Sequence, residues 1–236
     1  MRFKGRKVFV TGASRGIGRA IASAFRAEGA WVIGTRTGGG KDSVCQEWVV
    51  ADFLDAAQIE SCAEAVGRSK PDVLVNNAGI NRIAPFVRIP REDFADIQRV
   101  NVLAPFRLCQ AAIPGMKKRG WGRIINVSSI WGKVGKELRA SYMASKFAVD
   151  GLTLAIAAEH SADGILANGV APGFIDTDLT RRVLGKAGIR ALSAAVPARR
   201  MGRAAEIARF VLWLASDENT YLTGQNVAVD GGFSRV

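Results

Sequence analysis

The chain has 236 residues, 48% of them hydrophobic and 23% charged, with a formal net charge of +12 at pH 7. This balance excludes a disordered chain, and apolar runs such as "FVLWLA" are too short to span a bilayer. Cys45, Cys62 and Cys109 have neither zinc-ligand nor disulfide spacing, and the lone His160 stands at a helix end without a nucleophile motif, so metal-based and histidine-based chemistry are both set aside.

In chain order, short β-branched runs alternate with helical patterns. "KVFVTG" reads as a strand, and "GIGRAIASAFRAEG" as a helix with Ile17, Ile21, Ala24 and Phe25 on one face, closed by Gly29. "AWVIGT" and "EWVVAD" are the next strands, followed by a helix over 55–67 and the strand "DVLVNNAG", whose continuous apolar run suits burial on both faces. One long helix is expected over 91–118, then strand "GRIINVSS", helix "SYMASKFAVDGLTLAIAAEH", strand "ILANGVAP", helix "AAEIARFVLWLAS" and strand "QNVAVDGG". The alternation predicts a single α/β domain over 1–236: a Rossmann-type, doubly wound parallel sheet of about seven strands with helices on both faces. The segment 172–203 departs from the pattern and reads as a substrate lid of short helices and loop.

The positive charge favours anionic partners. Its densest groups, "KKRGWGR", "TRR" and "ARRMGR", carry no nucleic-acid-reading motif and read as solvated surface, so neither a nucleic-acid nor a membrane partner is expected. "MRFKGRKVFV" lacks a signal-peptide cleavage region, which points to the cytoplasm.

"TGASRGIG" lies between the first strand and the first helix, where a dinucleotide fingerprint belongs, although its glycines are spaced as Gly12, Gly16 and Gly18. Gly12, Ser14, Arg15, Gly16, Ile17 and Gly18 are therefore candidate pyrophosphate-binding residues, the glycines permitting a tight turn and close approach to the helix N-terminus. The second strand ends in "GTRT", with Arg36 where an NAD-binding carboxylate would stand. Arg36 and Arg15 suit a 2′-phosphate, so NADP(H) is preferred over NAD(H).

Tyr142 and Lys146 in "SYMASK" fall one helical turn apart. Alone, the pair reads as a packed tyrosine and a snorkelling lysine more readily than as a catalytic site.

With "TGASRGIG" from 11, "AD" at 51, "NNAG" from 76, "VN" at 100, "VSS" from 127, "YMASK" from 142, and "APG" with "DT" from 171, all in this order, the chain resembles the short-chain dehydrogenase/reductase family over its full length. The resemblance implies that Asp52 contacts adenine and that Asn77, Ala78 and Gly79 border the adenosine and ribose. It places the nicotinamide at Pro172, Gly173, Ile175 and Thr177. It assigns catalysis to Asn101, Ser129, Tyr142 and Lys146, with Tyr142 and Lys146 also touching the cofactor, and leaves Ser128 to strand packing. A tyrosine with a pKa of about 10 is a poor acid-base group at neutral pH. A nearby ammonium and the nicotinamide charge are expected to lower it, Ser129 to hold the substrate oxygen, and Asn101 to bind a water that links Lys146 to solvent.

The sequence is similar above all to 3-oxoacyl-acyl-carrier-protein reductases, through "TGASRGIGRAIA", "NNAGI", "APGFIDTDLTR" and "LASDENTYLTGQ". That resemblance implies basic residues that dock an acidic carrier protein. Arg119 matches one of them, whereas Asp163 stands where the second arginine would be. "NNAGINRIAPF" and "SSIWGKVGKELRASY" also resemble reductases of sugars and polyols, with Arg82, Trp131, Lys133 and Arg139 as candidate pocket or rim residues for a polar or anionic ketone. A non-catalytic NADP-binding regulator would typically lose Tyr142 or Lys146, and both are present. The family implies a homotetramer.

Overall fold

A computed structural model describes residues 1–40 and 42–236. The sheet strands are β1 (Lys7–Val10), β2 (Trp31–Arg36), β3 (Glu47–Val50), β4 (Val73–Asn76), β5 (Gly122–Val127) and β6 (Ile165–Pro172). Two further short strands, β7 (Ile175–Asp176) and β8 (Gly202–Arg203), precede the last sheet strand, β9 (Asn226–Val229). The helices are α1 (Gly16–Ala27), α2 (Ala56–Ser69), α3 (Arg91–Gln98), α4 (Ala104–Arg119), α5 (Ala140–His160), α6 (Asp178–Ala195) and α7 (Ala204–Ala215).

Seven strands pair in the order β3-β2-β1-β4-β5-β6-β9, all parallel. The period of two sends alternate side chains to opposite faces. Val8 and Val10 of β1 join a core with Ile21 and Phe25 of α1 and Val211 of α7, while Phe9 between them joins Ile59 of α2 and Leu108 of α4. Val73, Val75 and Leu74 repeat the division in β4. The chain winds from β1 outward to β3 and returns to β4 on the other side of β1, so the loops after β1 and β4 diverge and open a crevice at the carboxyl edge.

The expected helix over 91–118 is continuous but not uniform. α3 passes through a π-helical stretch, Arg99–Leu103, before α4 resumes. A π turn inserts extra backbone into a helix and is frequent at functional sites; here it carries Asn101. The helix expected over 55–67 runs on to Ser69 and begins on Asp55, whose carboxylate accepts from the backbone N–H of Ala57 and Gln58.

Within 172–203, β7 and β8 pair in parallel and tie the two ends of that segment together. The helical part bends at Gly185, where φ is +60°, a conformation that glycine adopts without steric cost. No helix among the described residues is long and apolar enough to cross a membrane. All three cysteines are buried and unpaired, and burial pushes their thiols up to about 12, which makes them inert packing groups.

Candidate active site

The glycine turn is stitched to the loop after β4 by one threonine. The Thr11 hydroxyl accepts from the backbone N–H groups of Asn77 and Ala78, both at 2.9 Å. Asn77 answers by donating Nδ2 to the Thr11 carbonyl at 2.9 Å and to Gly12 O at 3.3 Å. From the other side, Gly12 N–H donates to Thr35 Oγ1 at 2.9 Å. Gly12 and Gly16 take φ of +64° and +55°. A Cβ on Gly18 would stand 2.2 Å from Gly12 O and 2.4 Å from Asn77 Nδ2, so this position admits no side chain without rearrangement.

At the start of α1 no side chain caps the helix and its first turn holds no acid. Its free N–H groups and positive dipole end are open to an anion, with Ser14, Arg15 and Gly16 exposed beside them and Ile17 half-buried. Arg36, at the end of β2, lies with its guanidinium 4.7 Å from the Trp48 ring centroid. Its Nε is buried without a hydrogen-bond partner. An uncompensated buried donor is costly, and a phosphate oxygen is an apt acceptor for it. Asp52 holds its own turn, with Oδ1 accepting from Leu54 N–H at 3.0 Å.

Across the crevice, Asn101 is 1% exposed. Its Oδ1 accepts from Ile80 N–H at 2.9 Å, and Nδ2 donates to Ile80 O at 3.0 Å and to Ser145 Oγ at 2.9 Å. Both amide hydrogens are thus committed to the protein. A water at Asn101 must use the remaining Oδ1 lone pair or the main-chain oxygen, which narrows the expected relay. Ser145 Oγ donates in turn to Tyr142 O at 2.7 Å, tying the π turn to the first turn of α5. Gly79 stands between Asn101 and Lys146: a Cβ there would lie 3.2 Å from Asn101 Oδ1 and 3.7 Å from Lys146 Nζ.

Lys146 is 5% exposed, and its Nζ donates to Val127 O at 2.8 Å. Burial pulls its ammonium down to about 8. The Nζ atom lies 5.5 Å from the Tyr142 ring centroid. In the protein alone, burial pushes the Tyr142 phenol above its ordinary value, opposed by a hydrogen bond with Ser129 and by the charge of Arg139. The lowering expected from Lys146 together with the nicotinamide charge belongs to the cofactor-bound site; in the protein alone, desolvation is the largest influence on the phenol.

Ser129 is buried at the end of β5 and accepts from Trp131 N–H at 3.2 Å, which opens a single 3-10 turn. Ser128 points the other way, donating to Lys146 O at 3.5 Å and accepting from Asn226 Nδ2 at 3.4 Å. Of the two, Ser129 meets the phenol.

The start of the 172–203 segment completes the cleft. A Cβ on Gly173 would fall 2.7 Å from Asp230 Cα and Cβ, and Gly173 N–H donates to Val229 O at 3.1 Å, so the strand after Pro172 packs directly on the C-terminal segment. Thr177 caps α6 through Thr180 N–H at 3.3 Å, and its Cγ2 lies 3.8 Å from where a Gly16 Cβ would be. Ile175 is buried, and its carbonyl accepts from Thr180 Oγ1 at 3.0 Å. Trp131, Phe174 and Phe233 form an edge-to-face trio with centroids 5.0–6.0 Å apart.

Among the cations named from sequence, Arg82 is committed to Asp93 at 2.6 Å and Asp96 at 2.9 Å, so it is not a free pocket cation. Lys133 is exposed. Arg139 precedes α5 and has no ion-pair partner among the described residues. Arg119 is paired with Asp72 at 3.3 Å and donates to Pro71 O at 2.7 Å. Asp163 is held by Lys117 at 3.0 Å and by His160 at 3.1 Å. Sequence reading named Trp131 but missed its ring partners Phe174 and Phe233, and it missed Thr11, Thr35 and Ser145; of these only Thr11 left a signal, standing directly before the first glycine of the turn.

A crevice at the switch point with an uncapped helix N-terminus on one side, and a tyrosine, a lysine and a serine converging beside it, defines a nucleotide-dependent oxidoreductase. Residues 12–234 match a family model described as enoyl-(acyl carrier protein) reductase. The chain is 42% identical to the 3-oxoacyl-acyl-carrier-protein reductase FabG of Escherichia coli over the full length of both, and 41% identical to that of Pseudomonas aeruginosa over 98% of each. Among solved structures, it is similar to the gluconate 5-dehydrogenase of Burkholderia cenocepacia in complex with NADP and tartrate, with TM-score 0.89 and 31% identity over 100% of this chain and 97% of that one. The protein belongs to the short-chain dehydrogenase/reductase family, and its seven-stranded parallel sheet is the fold that membership implied.

Proposed function

We propose that the protein uses NADPH to reduce the ketone of a 3-oxoacyl thioester borne by a carrier protein to the secondary alcohol. The observation that carries the chemistry is the convergence of Ser129, Tyr142, Lys146 and Asn101 next to a glycine turn in which a Cβ at position 18 has no room. The substrate rests on the full-length likeness to 3-oxoacyl-acyl-carrier-protein reductases.

The crevice fits a dinucleotide phosphate. The α1 N-terminus with Gly12, Ser14, Arg15, Gly16, Ile17 and Gly18 would hold the pyrophosphate, and the orphaned Arg36 Nε the 2′-phosphate. Asp52, Asn77, Ala78 and Gly79 would line the adenosine and ribose, and Pro172, Gly173, Ile175 and Thr177 the nicotinamide. Bound there, the cofactor supplies the hydride that the carbonyl carbon accepts.

Ser129 Oγ donates to the ketone oxygen and Tyr142 Oη passes its proton to that oxygen as charge builds on it. Lys146, largely protonated at neutral pH with its ammonium near 8, stabilises the phenolate left behind and returns the proton. Asn101, clamped between Ile80 and Ser145, fixes the floor on which that transfer runs.

A second reading, a polar keto acid, is favoured by a specific observation: Arg119 and Asp163 are both locked in local ion pairs, whereas Arg139 is unpaired three residues before Tyr142. The tartrate complex of the gluconate dehydrogenase agrees with it. Oxidation of NADPH and NADH by the purified protein, offered acetoacetyl thioesters beside keto-sugar acids and neutral ketones, separates the two. Thioester turnover with NADPH is expected; thioester silence with keto-acid turnover overturns the first reading in favour of the second.

The active assembly is a homotetramer in this reading. Leu103, Phe106, Phe147 and Leu154 on α4 and α5 and the turn before α4 are 40–53% exposed, beside an apolar groove of about 400 Å³, and such surfaces mark contacts between subunits. Three unpaired cysteines accord with the cytoplasm.

A further inference from the structure

The loop after β4 and the loop after β5 lie side by side at the mouth of the crevice, joined by Ala84 N–H donating to Leu138 O at 3.3 Å. Together they expose apolar side chains that no other part of the same chain covers: Ile83 is 56% exposed, Phe86 79%, Val87 90% and Leu138 45%. Leu138 also has a φ of +64°, in the left-handed region that is a true outlier for a bulky residue. Strain held on an exposed apolar residue serves no packing and points to use of the surface.

Arg88 and Arg91 flank the patch, exposed and without an ion-pair partner among the described residues. Of the rim acids, Asp93 is paired with Arg82 and Glu137 with Lys136, and Glu92 alone is unpaired. Exposed aromatic and aliphatic groups flanked by two unpaired arginines, against one unpaired acid, suit an acidic amphipathic helix, since charge steers the encounter and apolar anchors hold it. Arg139 and Trp131 lie in the same post-β5 loop, so a chain presented at this rim has a short path to Ser129 and Tyr142.

We propose that Ile83, Phe86, Val87 and Leu138, flanked by Arg88 and Arg91, form the docking surface for an acidic carrier protein, replacing the locked Arg119 and Asp163 region. This rests on the thioester reading above. The test compares kcat and KM for an acetoacetyl carrier protein and for the small acetoacetyl-N-acetylcysteamine thioester, in the wild type, Arg88→Glu with Arg91→Glu, Val87→Asp and Leu138→Gly. The expected result is a rise of about tenfold in KM for the carrier-borne substrate, with the small thioester unaffected in both constants. Leu138→Gly, which relieves the strained φ, should raise that KM without lowering the melting temperature. Equal losses on both substrates, no loss on either, or a changed assembly mass by light scattering would overturn the proposal; the last would make the patch a contact between copies. Failure of the wild type to reduce either thioester would sink the thioester reading itself.

Discussion

Replacing Lys146 with methionine should abolish turnover and yet leave the cofactor-free fold as stable as before or more so at neutral pH. Burial alone moves the ammonium from 10.5 to about 8, which at 1.36 kcal/mol per tenfold step amounts to about 3 kcal/mol charged against the folded state wherever Lys146 is protonated in both states. Against this stands the bond from Nζ to Val127 O at 2.8 Å; a carbonyl left without its donor costs about 1–3 kcal/mol. Lys146→Met is therefore expected to be about 0–2 kcal/mol more stable near pH 7. Because the folded pKa lies below the unfolded one, the unfolded chain binds more protons between the two values, and the wild type gains stability as pH rises through that window. About 2 kcal/mol of the variant's advantage should disappear between about pH 7 and about pH 9.5. Urea unfolding of both proteins at one fixed protein concentration measures the difference, with the variant cancelling every other titration. A gap that does not move with pH would refute the reasoning, as would a variant more than about 2 kcal/mol less stable near pH 7.

Gly18→Ala should eliminate measurable NADPH binding and lower stability by about 1–3 kcal/mol in urea unfolding, because the new methyl meets the backbone oxygen of Gly12 at 2.2 Å. Arg36→Asp should raise the KM for NADPH by about tenfold or more while NADH is spared or improved in steady-state assays. Ser145→Ala removes the group that joins Asn101 to the Tyr142 carbonyl and should cut kcat by about tenfold with the KM for cofactor unchanged, as kinetics over the same pH range would show.

The sheet was legible from sequence because each central strand is a short β-branched run that alternates between two cores, and each glycine or asparagine that closes it has a local reason to be there. The glycine turn was legible for the same reason. The π turn within the helix that starts at Arg91 was not, since it leaves no mark in a pattern of apolar spacing; it carries Asn101, which bonds to Ile80 and Ser145. The pairing of β7 with β8 was hidden because its partners are 27 residues apart and two residues long. The pairing of two cations was not legible. Arg82 and Arg119 looked available in the sequence, and both are neutralised by aspartates that only the fold brings near. The rise that burial imposes on the Tyr142 phenol in the protein alone was not legible, because spacing shows that a lysine is close but not how much water its surroundings exclude.

Tyr142→Phe removes one oxygen and leaves the ring packed, so it tests the central assignment most directly. Turnover of an acetoacetyl thioester with NADPH should fall by about a hundredfold or more, while NADPH binding, followed by nicotinamide fluorescence, stays within about twofold of the wild type. Turnover within about threefold of the wild type would contradict the assignment of Tyr142 as the proton donor and, with it, the mechanism built on this site.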